Sequence, residues 1–378
     1  MKKIIVLFLL ICMKAEAQSS ALQLGNDFFE RGNYSKAIEA YKKHSDSTEV
    51  FDKIAKCYRA LGSIKKAKLY YEKSYNAFPE DELITYNYAK ILLVTKDYAK
   101  ASNLFEKLIY KDYKNPNYHY QKGLALEKMK DSMELALDKY KSTLQHDATH
   151  QKAIIKLGKY YLKKRKPDIV NFYVDRGLEV YPESAALISL KAQNFYWKEN
   201  YIQSIKWFEK LLDMGESSEF IHEKLSLSYG QEYEYEKAIT HRKKVLEYNP
   251  YDATSKYVIG QYYQRLNDHE EAIKWFEESL KLSDIPLDAE YTKLGTSYNY
   301  LKKYKEAIEV FKKALKENPN NISAQFFLVR TKDEFYGDLD SKIKLYEEYL
   351  KAYPQSPFKP LAERRLSELK KEKFLKKD

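Results

Sequence analysis

The chain has 378 residues, 44% hydrophobic and 32% charged, with 66 basic against 55 acidic side chains and a formal net charge of +11. An apolar share near the globular average excludes a disordered chain, and only 11 glycines and 10 prolines exclude collagen-like or low-complexity sequence. Single cores stop growing at roughly 250–300 residues, so this length asks for several domains or for a repeat array.

The first element is Met1-Lys2-Lys3, a short basic start, followed by an apolar run from Ile4 to Met13 and by the small-x-small site Ala15-Glu16-Ala17. A run of that length is too short for a bilayer span, which needs about 20 residues. The pattern predicts a signal peptide over residues 1–17, cleaved after Ala17, and an exported mature chain. Lipidation at Cys12 is disfavoured because Ile11 stands where a lipoprotein signal carries a small residue. Cleavage leaves Cys57 as the sole cysteine, so no intrachain disulfide forms and apolar packing carries the fold.

From Gln18 onward a small residue recurs with Ala twelve positions later and Pro twelve further on, as in Ala55, Ala67, Pro79 and Gly295, Ala307, Pro319. Taking these as positions 8, 20 and 32, units begin near 18, 48, 82, 116, 151, 185, 219, 253, 288 and 322. Each unit holds two stretches with apolar residues at helical spacing, such as Ala272, Ile273, Phe276 and Leu280. Breakers such as Gly32-Asn33 and Asn267-Asp268 separate the two stretches, and Pro closes the second helix. Aromatic residues at positions 11, 17 and 24 read as packing around the small residues. After Pro354, Ser356-Pro357-Phe358-Lys359-Pro360 opens a final amphipathic helix, Leu361 to about Leu375, expected as a polar cap with a basic tail.

The copy Tyr291, Leu294-Gly295, Tyr298, Tyr304, Ala307, Phe311, Ala314, Pro319 resembles the tetratricopeptide repeat family, and the resemblance covers essentially all of the chain after Gln18. It implies an all-α fold: a right-handed α-solenoid, or superhelix, of about ten stacked antiparallel helix pairs over 18–355, with a capping helix and tail over 356–378. The segment Tyr346 to Pro357 is also similar to repeats of bacterial envelope proteins. The last copy departs from the pattern, with Val329 and Lys342 where small residues are expected.

The sequence offers no chemistry of catalysis. Its glycines are isolated, so no phosphate-cradling loop exists, and neither Gly-x-Ser-x-Gly nor His-Glu-x-x-His occurs. His146 and His150 lie in an inter-repeat segment without a third metal ligand, and Cys57 on a first helix reads as a small buried thiol. The basic runs Lys163-Lys164-Arg165-Lys166 and Lys370 to Lys377 read as a solvated turn and a solvated cap. No enzyme activity, cofactor, metal or nucleic-acid ligand is expected.

The resemblance implies that ligands lie along the concave side, lined by first-helix positions 2, 5, 9, 12 and 13. Here these give Asp52, Lys56, Arg59, Tyr86, Lys90, Tyr120 and Lys159, then Tyr196, Trp197, Tyr257, Gln261, Gln264, Arg265, Tyr300 and Arg330. Tyr, Trp and Arg combine broad apolar area with a polar handle, which suits a peptide of some acidic character. The carboxylate clamp of chaperone-binding relatives is incomplete, since Asn26 is present but Leu22 stands in place of Lys. The expectation is a non-enzymatic scaffold or adaptor of the bacterial cell envelope, periplasmic or outer-membrane-associated, with at most peripheral membrane contact. Its partner is an envelope protein or peptide. The alternative is a carbohydrate-binding or polysaccharide-export accessory.

Overall fold

A computed structural model describes residues 21–282 and 287–376. The signal-peptide and lipidation expectations fall on residues 1–17, outside the described residues. Two compact units divide the chain, one ending at Leu187 and the other starting at Ile188. Among the described residues every regular element is helical, and no helix is long and apolar enough to cross a membrane.

The first unit carries five helix pairs: α1 (21–30) with α2 (Tyr34–Lys42), α3 (Ser47–Ala60) with α4 (Ile64–Ala77), and α5 (Glu82–Val94) with α6 (Tyr98–Lys111). The pairs α7 (Pro116–Glu127) with α8 (Met133–His146) and α9 (Gln151–Lys163) with α10 (Pro167–Val180) complete it. The second unit holds most of α11 (Ala185–Trp197), then α12 (Tyr201–Asp213), α13 (Glu219–Gln231), α14 (Tyr235–Tyr248) and α15 (Ala253–Arg265). It continues through α16 (His269–Leu280), α17 (Asp288–Tyr300), α18 (Tyr304–Glu317), α19 (Ile322–Phe335), α20 (Leu339–Ala352) and the terminal α21 (Lys359–Leu375).

Local chemistry sets these boundaries. First helices open on side-chain caps: Asp81 accepts from the Ile84 amide, Asp252 from Thr254 and Asn321 from Ala324. Second helices stop one or two residues before Pro79, Pro182, Pro250, Pro319 and Pro354. The turn inside a repeat is a left-handed closure at position 15. Gly32 and Gly62 hold it at φ 73° and 71°, whereas Lys96, Arg165, Glu199, Tyr233, Asn267 and Lys302 hold it without glycine's freedom. The following amide reaches back to the carbonyl of the position-11 aromatic, as Asp268 does to Tyr263 at 2.9 Å and Lys303 to Tyr298 at 2.9 Å.

Within each unit consecutive helices pack on one another, and neighbouring first helices also meet, as α5 meets α7 and α17 meets α19. The unit is thus an α-solenoid stack with its core spread along the stack. Tyr71, Phe105, Phe208, Phe276 and Phe311, all fully buried, fill the space beside small residues at positions 8 and 20. The terminal helix is tied on by a buried carboxylate: Asp333, 2% exposed, takes hydrogen bonds from Arg365 Nε at 2.8 Å and Tyr346 Oη at 3.0 Å. Burial pushes the Asp333 pKa up, but Arg365, Tyr346 and Lys342 outweigh it and hold the carboxyl below its ordinary value. The cap is less polar than its composition suggests. Phe374 and Leu375 are exposed beside Leu366, Lys370 and Lys371.

Candidate functional site: a groove of first helices

In the second unit three cavities adjoin along the first helices. One of 360 Å³ runs between α13 and α15, lined by Tyr233, Gln261, Arg265 and Lys293 among others. The next, of 450 Å³, lies over α15, α17 and α19 and shares Gln264, Arg265 and Lys293 with the first. The third, of 270 Å³, shares Thr296, Tyr300 and Phe327 with the second and adds Arg330. Shared walls make these one trough. Position-17 rings from the second helices, Tyr235, His269 and Tyr304, edge into it from the side.

The trough is cationic except where Glu334 lines its third cavity beside Arg330. Arg265, Lys293 and Arg330 have no carboxylate within ion-pair distance among the described residues, whereas Lys256 is paired with Glu278 and Lys342 with Asp333. Burial and the neighbouring Arg265 charge hold the Lys293 ammonium below its ordinary pKa. Beneath the trough sits Arg242, 4% exposed, at position 24, where most repeats place Tyr or Phe. It donates to the hydroxyls of Ser226 at 3.3 Å and Ser255 at 3.5 Å, and Ser255 in turn donates to Asp252. Two tyrosines stand out into solvent, Tyr233 at 78% and Tyr300 at 70% exposed.

Of the residues expected in the groove, Gln261, Gln264, Arg265, Tyr300 and Arg330 line this trough. Gln264 also links repeats, since its amide donates to the Lys293 carbonyl at 2.9 Å and the Ser297 hydroxyl at 2.7 Å. The position-5 tyrosines behave differently. Tyr120, expected in the groove, is 8% exposed and wedged between Tyr140 and His150, so it belongs to the core. Tyr86 leans on Phe105 and Tyr257 on Phe276 in the same way, with ring centroids 6.1 and 5.7 Å apart. The reason is geometric: position 5 faces the ring at position 24 of its own repeat. Burial accordingly pushes the Tyr257 hydroxyl up to about 12.

The remaining expected residues lie in other places. Lys56 lines a separate 310 Å³ hollow in the first unit and is paired with Asp52 at 2.6 Å. Lys90 lies over the Tyr86 ring at 5.2 Å, while Arg59 and Lys159 are exposed. Tyr196 packs on Trp197 and Tyr201, with Lys224 over its ring. Asn26 is engaged by Tyr41 at 2.9 Å and Lys53 at 3.3 Å. Cys57 is fully buried, and burial raises its thiol to about 11, as suits a packing role. His146 and His150 stack on different partners, His119 and Tyr120, and no cluster of three metal-ligating side chains exists among the described residues. Sequence reasoning missed Lys293, His269, Tyr233 and Phe327. For His269 the available signal was its place at position 17, between the rings of Tyr235 and Tyr304 at the same position of the flanking repeats.

Residues 58–123 match the family profile described as tetratricopeptide repeat, and residues 231–314 match that of subunit 3 of the anaphase-promoting complex, or cyclosome. The chain contains tetratricopeptide repeats. Among curated relatives, anaphase-promoting complex subunit 3 of Schizosaccharomyces pombe is 20% identical over 296 residues, covering 72% of this chain and 44% of that protein. The DnaJ homolog subfamily C member 7 homolog of Dictyostelium discoideum is 33% identical over 69 residues, covering 18% of this chain and 13% of its own length. The chain thus spans less than half the length of either relative. The C-terminal part of a tetratricopeptide protein from Cytophaga hutchinsonii shares the fold at 20% identity and a TM-score of 0.53, covering 64% of this chain and 99% of that one.

Proposed function

We propose that this tetratricopeptide protein is a non-enzymatic interaction scaffold that grips a partner protein through the trough of its second unit. The observation that carries the reading is the set of three cations, Arg265, Lys293 and Arg330, left without acidic partners beside exposed tyrosines. Arg265 and Arg330 are exposed and Lys293 is half-buried, so a complementary acidic surface can meet all three directly and gains orientation and encounter rate from them. Its curated relative is by name a subunit of a multiprotein complex, which supports an assembly role. The leader-like pattern of residues 1–17 supports a reading in which this work is done in the bacterial cell envelope, by a periplasmic or outer-membrane-associated protein.

Crosslinking in the native cell, followed by a pull-down, tests the scaffold. The combined variant Tyr233→Ser, Tyr300→Ser, Arg330→Gln should lose its captured neighbours while its helical circular dichroism stays unchanged. Unchanged capture would remove the trough from the function. N-terminal sequencing of the protein recovered from cells should begin at Gln18. An intact Met1 would refute export by a cleaved leader.

A further inference from the structure

The central cavity of the trough, 450 Å³, brings three nitrogen-bearing groups to one place. Arg265 ends α15 and Lys293 rises from α17, two like charges facing the same space. His269 is 7% exposed, and its Nδ1 has no hydrogen-bond partner although it is buried. Its ring lies flat on Tyr300, with centroids 4.2 Å apart and planes 7° apart, while the other face of Tyr300 is open to solvent. Adjacent cations repel, and an unmade hydrogen bond at a buried ring nitrogen costs the full desolvation of that atom. The repulsion between the two cations falls when an anion with acceptor oxygens enters between them.

We infer that this cavity receives one Asp or Glu side chain from an extended acidic segment of a partner protein, its carboxylate between Arg265 and Lys293 and an adjoining residue on the open face of Tyr300. This rests on the scaffold reading above and specifies where and what it grips. The trough decides for a chain over a small anion, because the cavity continues on both sides through shared walls instead of closing. Tyr300 adds apolar area next to the charge, which a peptide bearing acidic and aromatic residues satisfies together.

Fluorescence anisotropy with the full chain tests it, using labelled dodecapeptides of alternating Glu-Tyr, Gln-Tyr and Lys-Tyr. The Glu-Tyr peptide should bind at least tenfold tighter than Gln-Tyr. Arg265→Gln with Lys293→Gln should erase that difference and leave the thermal melt unmoved. Arg265→Glu with Lys293→Glu should turn the preference to Lys-Tyr. Equal binding of Glu-Tyr by parent and neutral variant overturns the assignment, as does a single-stranded oligonucleotide that binds more tightly than Glu-Tyr and loses the same factor. If native partners are still captured by the neutral variant, this anchor fails while the scaffold stands. Loss of capture by a Tyr233→Ser, Arg330→Gln variant that keeps Arg265, Lys293 and Tyr300, with Glu-Tyr binding unchanged, separates the two the other way.

Discussion

Gly295 lies directly against the ring of Phe311: a Cβ built on it would come within 2.6 Å of the ring's Cε1. Gly260 meets Phe276 in the same way, and Gly25 and Gly123 meet Tyr41 and Tyr140. The approach of the two helices of a repeat is therefore set by one small residue and one ring.

Enlarging that glycine should loosen the pair. Gly295→Val is expected to cost about 2–3 kcal/mol through overpacking against a fully buried ring. Gly295→Ala should cost less, because Ala55, Ala89 and Ala192 occupy the equivalent place in other repeats. Urea unfolding of the two variants measures the difference.

Arg242 is a cation where its neighbours have a ring, and it has only hydroxyl partners. Replacing a buried charge by a well-packed apolar group is commonly neutral or stabilising by about 1–4 kcal/mol. Arg242→Phe combined with Ser226→Ala, which restores the small-plus-ring pairing, should raise the melting temperature. A fall would show that the guanidinium is structurally required.

The two ring nitrogens His222 Nδ1 and His241 Nδ1 stand 3.0 Å apart, an arrangement that needs at least one neutral ring. His241 stacks on Tyr229, while Ser217 and Tyr248 lie on the His222 side, with Lys244 and Glu247 as the charges acting on His222. Burial, and then the neighbouring His222, lowers the His241 pKa to about 4, and burial lowers that of His222. Unfolded histidines titrate near 6.5, so the unfolded chain takes up protons that the fold refuses. Stability is fully present above about pH 6.5 and is lost as pH falls toward 4, by on the order of 3 kcal/mol for His241. Thermal melts between pH 7 and 4.5 should fall steeply, and His241→Phe should flatten the slope.

Tyr233 carries a left-handed backbone at φ 62° with its ring exposed to solvent in the trough. Bulky residues adopt that conformation at a cost that Asn largely avoids. Tyr233→Asn should stabilise the chain by roughly 0.5–1 kcal/mol in a denaturant titration while weakening partner capture. Equal stability would mean the turn is unstrained.

Much of the fold was legible because it is local. The small residue, Ala and Pro recur at distances that one helix hairpin imposes, so Glu82, Pro116, Gln151 and Glu219 begin first helices where the spacing puts them. The same hairpin logic put breaks at Gly32-Asn33 and Asn267-Asp268, where Gly32 and Asn267 hold the left-handed turn, and burial of Cys57 followed from its place beside Ala55. What the sequence alone could not determine was accessibility. Tyr120 and Tyr300 are both tyrosines on first helices, yet one is sealed under Tyr140 and His150 and the other stands 70% exposed. Whether a first-helix side chain reaches solvent depends on the bulk presented by the helix beside it and by the next repeat, which no residue's own spacing encodes. The unpaired state of Arg265 and Lys293 has the same origin: only the packed helices fix which carboxylates come within reach of them.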